Sequence, residues 1–382
     1  MKEIIRHISI PKGSFFLFGP RGTGKSTFVK RLKKKDTIYL DFLDPDTFRT
    51  FSAFPETLIK TINAGNPGLV IIDEVQKVPQ ILEVVHKIME EKKIRFILTG
   101  SGGRKLKRSG ADLLGGRALY CRMHPFTASE LGISFSLDKA LQTGLIPVVE
   151  RSAEPAKTLS AYIDIYLREE IQAEALVRNL GTFARFLEII SFSHGSVLNV
   201  SNLARECQAG RSIVTGYIDI LEDLLLAYRL PVFAKRAKRK TASHPKFYLF
   251  DNGLYRRLRQ RGPLDIESGI SGPALEGLVG QHLRAFSDYA LPGTQLYYWR
   301  SQAGNEVDFI LYGGKTFTAI EVKNTRVLNP VDYNGLVSFG DDYPEASLIL
   351  IYRGNILMKH KNILVVPAEI FLMTPGEYLK QV

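Results

Sequence analysis

Near the N-terminus, the run Gly19-Pro20-Arg21-Gly22-Thr23-Gly24-Lys25-Ser26 places four residues between two glycines, then a lysine and a hydroxyl residue. Glycine lets the backbone take left-handed angles and come close to a ligand. Successive N–H groups can then turn inward and form an anion nest at the start of a helix. The flanks suit this arrangement. Phe15-Phe16-Leu17-Phe18 reads as a buried strand, and Ser26-Thr27-Phe28-Val29 opens a helix-compatible segment. The spacing is that of a nucleotide-phosphate loop. In such a loop Gly19, Pro20, Arg21, Gly22, Thr23, Gly24, Lys25, Ser26 and Thr27 would surround the phosphates of ATP. Lys25 would reach the β- and γ-phosphates, and Ser26 would ligate Mg2+. The competing reading is an ordinary glycine turn with a surface lysine.

A second motif weighs against that plainer reading. Leu69-Val70-Ile71-Ile72-Asp73-Glu74 puts four apolar residues before two acids. An unbroken apolar run suits a central parallel strand buried on both faces. Open α/β sheets place their ligands at the C-terminal ends of such strands. There Asp73 would hold Mg2+ through water and Glu74 would orient the attacking water. An acidic helix cap after a strand would look the same in isolation.

Thr37-Ile38-Tyr39-Leu40 and Ile94 to Thr99 read as further strands, and Val78 to Lys93 as a helix with Ile81, Val84, Val85 and Ile88 on one face. This alternation predicts a parallel sheet with helices on both faces. Thr99-Gly100-Ser101 is either a polar sensor near the γ-phosphate or a simple turn. The Gly102–Gly116 stretch reads as a mobile loop, and either Arg104 within it or Arg117 after it could act as an arginine finger on a neighbouring copy. A finger supplied in this way would require a homo-oligomer, though the sequence leaves ring, dimer and monomer open.

At 382 residues the chain is long enough for two or three domains, each with its own core. Its formal net charge of +12 favours a polyanionic partner, most simply DNA. The densest basic runs are Lys30–Lys35 and Lys235–Lys240, and either can equally be a solvated face. Cys121 and Cys207 are the only cysteines, so neither a zinc knuckle nor a disulfide framework is indicated. With no signal-peptide pattern and no membrane-length apolar run, a cytoplasmic protein is expected.

Pro155 to Ile190 reads as helical, followed by a helix-turn-helix candidate. Its first helix is Ser201–Cys207 with Ser201 as cap, and its turn is Gln208-Ala209-Gly210. The second helix, Arg211 to Leu226, would turn Ile213, Tyr217, Ile220, Leu221 and Leu224 toward the core. A wing would follow, from Ala227–Phe233 through the second basic run to Phe247–Phe250, beside the phosphates of a docked duplex. The same unit could serve protein packing alone.

The C-terminal part carries a third constellation. Glu276 lies in a helical stretch from Ala274 to Phe286, and Asp308 in a strand from Glu306 to Leu311. Gly313-Gly314 turns the chain into a second strand, Thr318–Lys323, where Glu321 and Lys323 share a face. If the strands pair, Asp308 joins them. Asp308, Glu321 and Lys323 could then act on a phosphodiester, with Glu276, Asp308 and Glu321 around Mg2+. Glu-x-Lys by itself carries little, since Glu90-Glu91-Lys92 matches it too. An inactive, salt-bridged version is the competing reading.

These parts, in this order, resemble the bacterial and archaeal family of AAA-type P-loop ATPases that carry a winged-helix and restriction-endonuclease-like region. The similarity rests on Gly19–Ser26, Ile71–Glu74, Phe96–Ser101 and Leu114–Arg117, then on Tyr217–Leu226, Phe247–Gly253, Glu276, Asp308, Glu321 and Lys323. The last four match the PD-(D/E)XK pattern with glutamate in the third position. A second sensor arginine after the ATPase core is missing. The resemblance implies an α/β protein in four parts: a P-loop ATPase domain (1–132), a helical lid or linker (133–195), a winged helix-turn-helix (196–255) and a nuclease-like α/β domain (256–382). It implies ATP hydrolysis through Asp73 and Glu74. Two functions follow: an ATP-driven enzyme acting on DNA, or a nucleotide-switched scaffold whose C-terminal region binds protein.

Overall fold

A computed structural model describes residues 4–102, 114–173, 180–234, 244–259, 262–263 and 265–379. The chain divides into two compact units. One comprises Ile8–His124 with Asp223–Leu225; the other comprises Met1–His7, Pro125–Glu222 and Leu226–Val382.

The first unit is built on a five-stranded sheet: β1 (Phe15–Phe18), β2 (Thr37–Asp41), β3 (Leu69–Asp73), β4 (Arg95–Gly100) and β5 (Leu119–Arg122). All its strand pairs are parallel and the order is β2-β3-β4-β1-β5. Alternation along each strand splits the apolar side chains between two faces. Phe16, Phe18, Val70, Ile72, Phe96 and Leu98 pack with residues of α2 (Pro45–Ala53), α3 (Thr57–Gly65) and α4 (Ile81–Glu91). Phe15, Leu17, Leu69, Ile71 and Ile97 pack with Phe28 and Val29 of α1 (Lys25–Lys30). The sheet is therefore covered on both faces, as the apolar runs require. The expected Val78–Lys93 helix is shorter, running Ile81–Glu91, because Val78 (φ −130°, ψ 72°) and Lys92 (φ −134°, ψ 145°) take non-helical backbone angles at its two ends.

The second unit begins with helices, including Pro155–Ala173 and Leu180–Ser191. The helix Val200–Cys207 follows, capped by the Asn199 side chain, which accepts from the Asn202 N–H. Ser201, the expected cap, lies inside the first turn. Gln208 takes a left-handed φ of 53° and the next helix runs Arg211–Asp223. That helix ends three residues before the expected Leu226, because Leu225 adopts φ 61° and the Leu226 N–H bonds back to the Leu221 carbonyl at 2.8 Å. Its buried stripe is Val214, Tyr217, Ile218 and Leu221 with Ile220, whereas Ile213 is 48% exposed and not in the core. Leu224 is buried as expected. One strand before these two helices and two after them form a three-stranded antiparallel sheet in the order β6 (Ser196–Val197), β8 (Lys246–Leu249), β7 (Ala227–Leu230). Arg104 and the Lys235–Lys240 run lie outside the described residues.

The C-terminal portion is a six-stranded mixed sheet in the order β13-β14-β12-β11-β10-β9. Its central hairpin is β10 (Glu306–Gly313) with β11 (Thr316–Lys323), flanked by β9 (Gln295–Arg300), β12 (Ser347–Tyr352), β14 (Ile363–Pro367) and β13 (Met358–His360). Gly313 at φ 141° and Gly314 at φ 58° make the hairpin turn. A Cβ on Gly313 would lie 2.2 Å from the Gly293 carbonyl oxygen, so only glycine fits. The long helix Ser268–Ala290, which contacts β9 and β11, carries Glu276 and contains Pro273. Among the described residues no helix is long and apolar enough to cross a membrane.

A nucleotide cradle and a buried carboxylate cluster

The phosphate loop joins β1 to α1. Gly22 and Gly24 both sit at positive φ, 78° and 90°, and Gly24 caps α1. This backbone turns N–H groups into one concavity. Gly19 is fixed by crowding, since a Cβ there would lie 2.4 Å from the Met123 carbonyl oxygen. Thr23 is fully buried and its hydroxyl donates to the Pro20 carbonyl at 2.7 Å. Lys25 folds into the loop it follows: Nζ donates to the Gly19 carbonyl at 2.7 Å and the Pro20 carbonyl at 3.1 Å. Ser26 is half-buried and Thr27 exposed, as is Arg21.

Strand order explains how distant residues meet here. β4 lies between β1 and β3, with Leu17 opposite Thr99 and Ile72 opposite Leu98. The Thr99 hydroxyl donates to Asp73 Oδ1 and accepts from the Glu74 N–H at 3.2 Å. Asp73 is fully buried, and its Oδ2 accepts from the Tyr39 hydroxyl on β2 at 2.6 Å. Burial, then the bond to Asp73, raises the Tyr39 phenol far above its ordinary range. Lys33 of the first basic run lies 3.8 Å above the Tyr39 ring, so part of that run covers this aromatic side chain.

Glu74 sits at φ 59°, ψ 46°, the left-handed region that a glutamate enters only at a cost. Its carboxylate accepts from Gln76 Nε2 at 2.5 Å, and the same amide donates to Ser101 Oγ at 3.1 Å. Sequence reasoning passed over Gln76 and Tyr39 because neither belongs to a spaced motif. Arg117 lies elsewhere in its contacts: Nη2 meets Glu90 Oε1 at 2.8 Å, with both side chains substantially exposed. An exposed pair of this kind holds weakly.

The second cluster differs from the expected arrangement. Asp308 on β10 faces β11, and its Oδ2 accepts from the Val322 N–H at 2.9 Å. Lys323 Nζ donates to Glu321 Oε1 at 2.6 Å. Glu276 accepts from the Tyr248 hydroxyl at 2.6 Å. Asp308, Glu276 and Glu321 therefore lie in one region, but the cation among them is a lysine. Lys246, at the start of β8, places Nζ 2.9 Å from Glu276 Oε1, 2.5 Å from Glu306 Oε1 and 3.1 Å from Asp308 Oδ1. Among the described residues, no His, Cys, Asp and Glu side chains converge as a metal centre. That corrects the expected metal set of Glu276, Asp308 and Glu321. Burial, with the Asp308 charge, raises Glu276 to about 7 and Glu321 well above its ordinary value. Burial opposes the charge on Lys246, yet its carboxylate neighbours hold its pKa well above normal. Only the fold could reveal Lys246, since it approaches from a different sheet.

Fold and loop together define a P-loop nucleotide-binding domain. Comparison with known proteins agrees, because residues 12–132 match the family described as "AAA domain". The N-terminal third is thus similar to an AAA domain. Residues 135–265 and 271–371 match two families described as "Domain of unknown function". An uncharacterized protein of Mycobacterium tuberculosis is 27% identical over 372 residues, covering 94% of this chain and 80% of the relative. An uncharacterized Haemophilus influenzae protein is 24% identical over 204 residues, covering 49% of this chain and 51% of its own. Among solved structures, the Aeropyrum pernix ORC1 protein in complex with DNA is 14% identical and covers 72% of this chain and 89% of that one. Its TM-score is 0.25, too low to equate architectures.

Proposed function

We propose that this protein is a Mg2+-dependent ATPase that acts on duplex DNA. The observation that carries the ATPase reading is the alignment of the Gly19–Ser26 loop, Thr99 and the Asp73-Glu74 pair on three neighbouring strands. The loop N–H groups and Lys25 would hold the triphosphate. Ser26 and Asp73 supply the oxygen donors a small hard cation prefers. When bound, Mg2+ would draw negative charge from the β- and γ-phosphate oxygens. Glu74, held by Gln76, would orient the attacking water.

Support for DNA is the +12 charge and the paired helices Val200–Cys207 and Arg211–Asp223 set between the first strand and the last two strands of a three-stranded antiparallel sheet, the arrangement of a winged helix. The second helix leaves Arg211, Ser212, Ile213 and Thr215 exposed in its first turns, where a recognition helix meets base edges and phosphates. ATP turnover and duplex binding across a salt series test this reading. Stimulation by duplex, with binding that falls steeply as salt rises, is expected. Turnover indifferent to DNA, with no salt-sensitive binding, refutes it.

One observation favours a second reading for the C-terminal sheet. Lys246 seated among Glu276, Glu306 and Asp308 is what a salt-bridged, non-cleaving version of a nuclease-like site would contain. On that reading the C-terminal region grips a partner instead of cutting nucleic acid.

A further inference from the structure

Tyr39 joins two features that the ATPase reading leaves separate. Its hydroxyl donates to Asp73 Oδ2 at 2.6 Å, while the ammonium groups of Lys33 and Lys30 lie 3.8 Å and 5.4 Å from its ring centroid. One aromatic side chain thus touches a buried carboxylate with its tip and the first basic run with its face. Lys30, Lys33, Lys34 and Lys35 are exposed, and none of them pairs with a carboxylate among the described residues. With Arg31 they place five cations in six positions, a density that suits the closely spaced phosphates of nucleic acid. At the other end of the ring, both Asp73 oxygens already accept a hydroxyl, Oδ1 from Thr99 and Oδ2 from Tyr39. Thr99 is fully buried on an interior strand, β4, and also accepts from the Glu74 N–H at 3.2 Å. Tyr39 is half-buried on the edge strand β2, so Oδ2 is the oxygen that can be freed.

We propose that Tyr39 is a cap on Asp73 that the phosphates of duplex DNA release by drawing Lys30 and Lys33 off its ring, which frees Asp73 Oδ2 to accept from the water shell of a nucleotide-bound Mg2+. The proposal rests on the reading of the protein as a DNA-acting ATPase and names how duplex would stimulate it. A cation over a ring face draws electron density from the phenol and makes its O–H a stronger donor, so Lys33 tightens the cap. An ammonium engaged by phosphate no longer serves the ring, and the cap weakens. A cation–ring contact at an exposed site is worth a shift of about 2- to 5-fold in affinity. By linkage, Mg2+ and nucleotide together should tighten duplex binding by the same factor.

Nucleotide binding by the full-length protein, without turnover, gives the test. A fluorescent ADP analogue is titrated in Mg2+ and in EDTA, with and without a short duplex, and the ratio of the Kd in EDTA to the Kd in Mg2+ reads the metal's contribution. In the wild type, duplex is expected to raise that ratio about 2- to 5-fold. Tyr39→Phe keeps the ring and removes the O–H, so its ratio should stand at least as high without duplex and should not move when duplex is added. Lys30→Gln/Lys33→Gln, on the exposed surface, should also lose the response to duplex, and it decides the matter should Tyr39→Phe fail to fold. A wild-type ratio that ignores a duplex shown to bind overturns the proposal. So does a lower ratio in Tyr39→Phe, or a full response to bound duplex in either variant. Wild-type protein that takes up no nucleotide or binds no duplex refutes the underlying reading as well, a distinct result because binding itself is then missing.

Discussion

Gln76→Leu isolates the positioning of Glu74 from its chemistry. Gln76 is almost fully buried, and its amide nitrogen bridges Glu74 Oε2 at 2.5 Å and Ser101 Oγ at 3.1 Å. Its carbonyl oxygen has no partner. Leucine fills similar volume and removes that orphaned acceptor together with the donor, so the two effects on stability offset and little change in Tm is expected. The loss falls on the carboxylate. A hydrogen bond to a charged group is worth about 1.5–3 kcal/mol net. If that bond is what holds Glu74 in place, kcat should fall by roughly 10- to 100-fold, at about 1.4 kcal/mol per factor of ten. KM for ATP should change little, because Gln76 does not line the phosphate loop. Steady-state ATP turnover with a parallel melt reads both. Glu74→Gln sets the floor, and Gln76→Leu/Glu74→Gln should equal Glu74→Gln alone, since the two residues act as one unit. Unchanged kcat in a folded Gln76→Leu, or additive losses in the double variant, would refute the assignment.

Lys25→Ala should abolish ATP binding, read by equilibrium binding of a fluorescent nucleotide; retention of affinity would show that the loop does not grip phosphates as argued. Glu74→Gln should keep ATP binding and slow hydrolysis, so that ATP stays bound through gel filtration. Asp251 is buried, accepts from the Leu145 and Gly253 N–H groups, and is raised by burial to about 6. The folded state therefore keeps a proton that the unfolded chain releases near its ordinary value of 3.8, and stability falls as pH rises from about 4 to about 6. Urea titrations across that window should show a slope in the wild type that Asp251→Asn reduces by about one proton. In Gly277→Ala the new Cβ would lie 2.2 Å from Nε2 of His194, which stacks on Tyr255 at 4.2 Å and cannot yield easily. A loss of about 1–3 kcal/mol or more is expected in denaturant melts.

What could be read in the sequence was local. The phosphate loop is eight consecutive residues, and the β1 and β3 strands announce themselves as unbroken apolar runs, so loop, strands and acids appear where expected. The Gly313-Gly314 turn and the face shared by Glu321 and Lys323 follow from backbone geometry that any strand obeys. The errors were local too. Asn199 displaced Ser201 as cap, and Ile213 turned outward, because the buried stripe of the second helix is set by Val214, Tyr217, Ile218 and Leu221, and neighbouring residues on a helix point about 100° apart.

The strand order β2-β3-β4-β1-β5 belongs to the tertiary structure alone, and it sets Thr99 between the loop and Asp73, brings Tyr39 onto Asp73 and lets Gln76 reach Ser101. Lys246 is the clearest case. Thirty residues separate it from Glu276 and sixty-two from Asp308 in the chain. No spacing rule links them, so the charge inside the carboxylate cluster was decided only when β8 and β10 packed against the long helix. Burial then makes their mutual pairing obligatory, because an uncompensated charge in that interior costs far more than the ordering of three side chains.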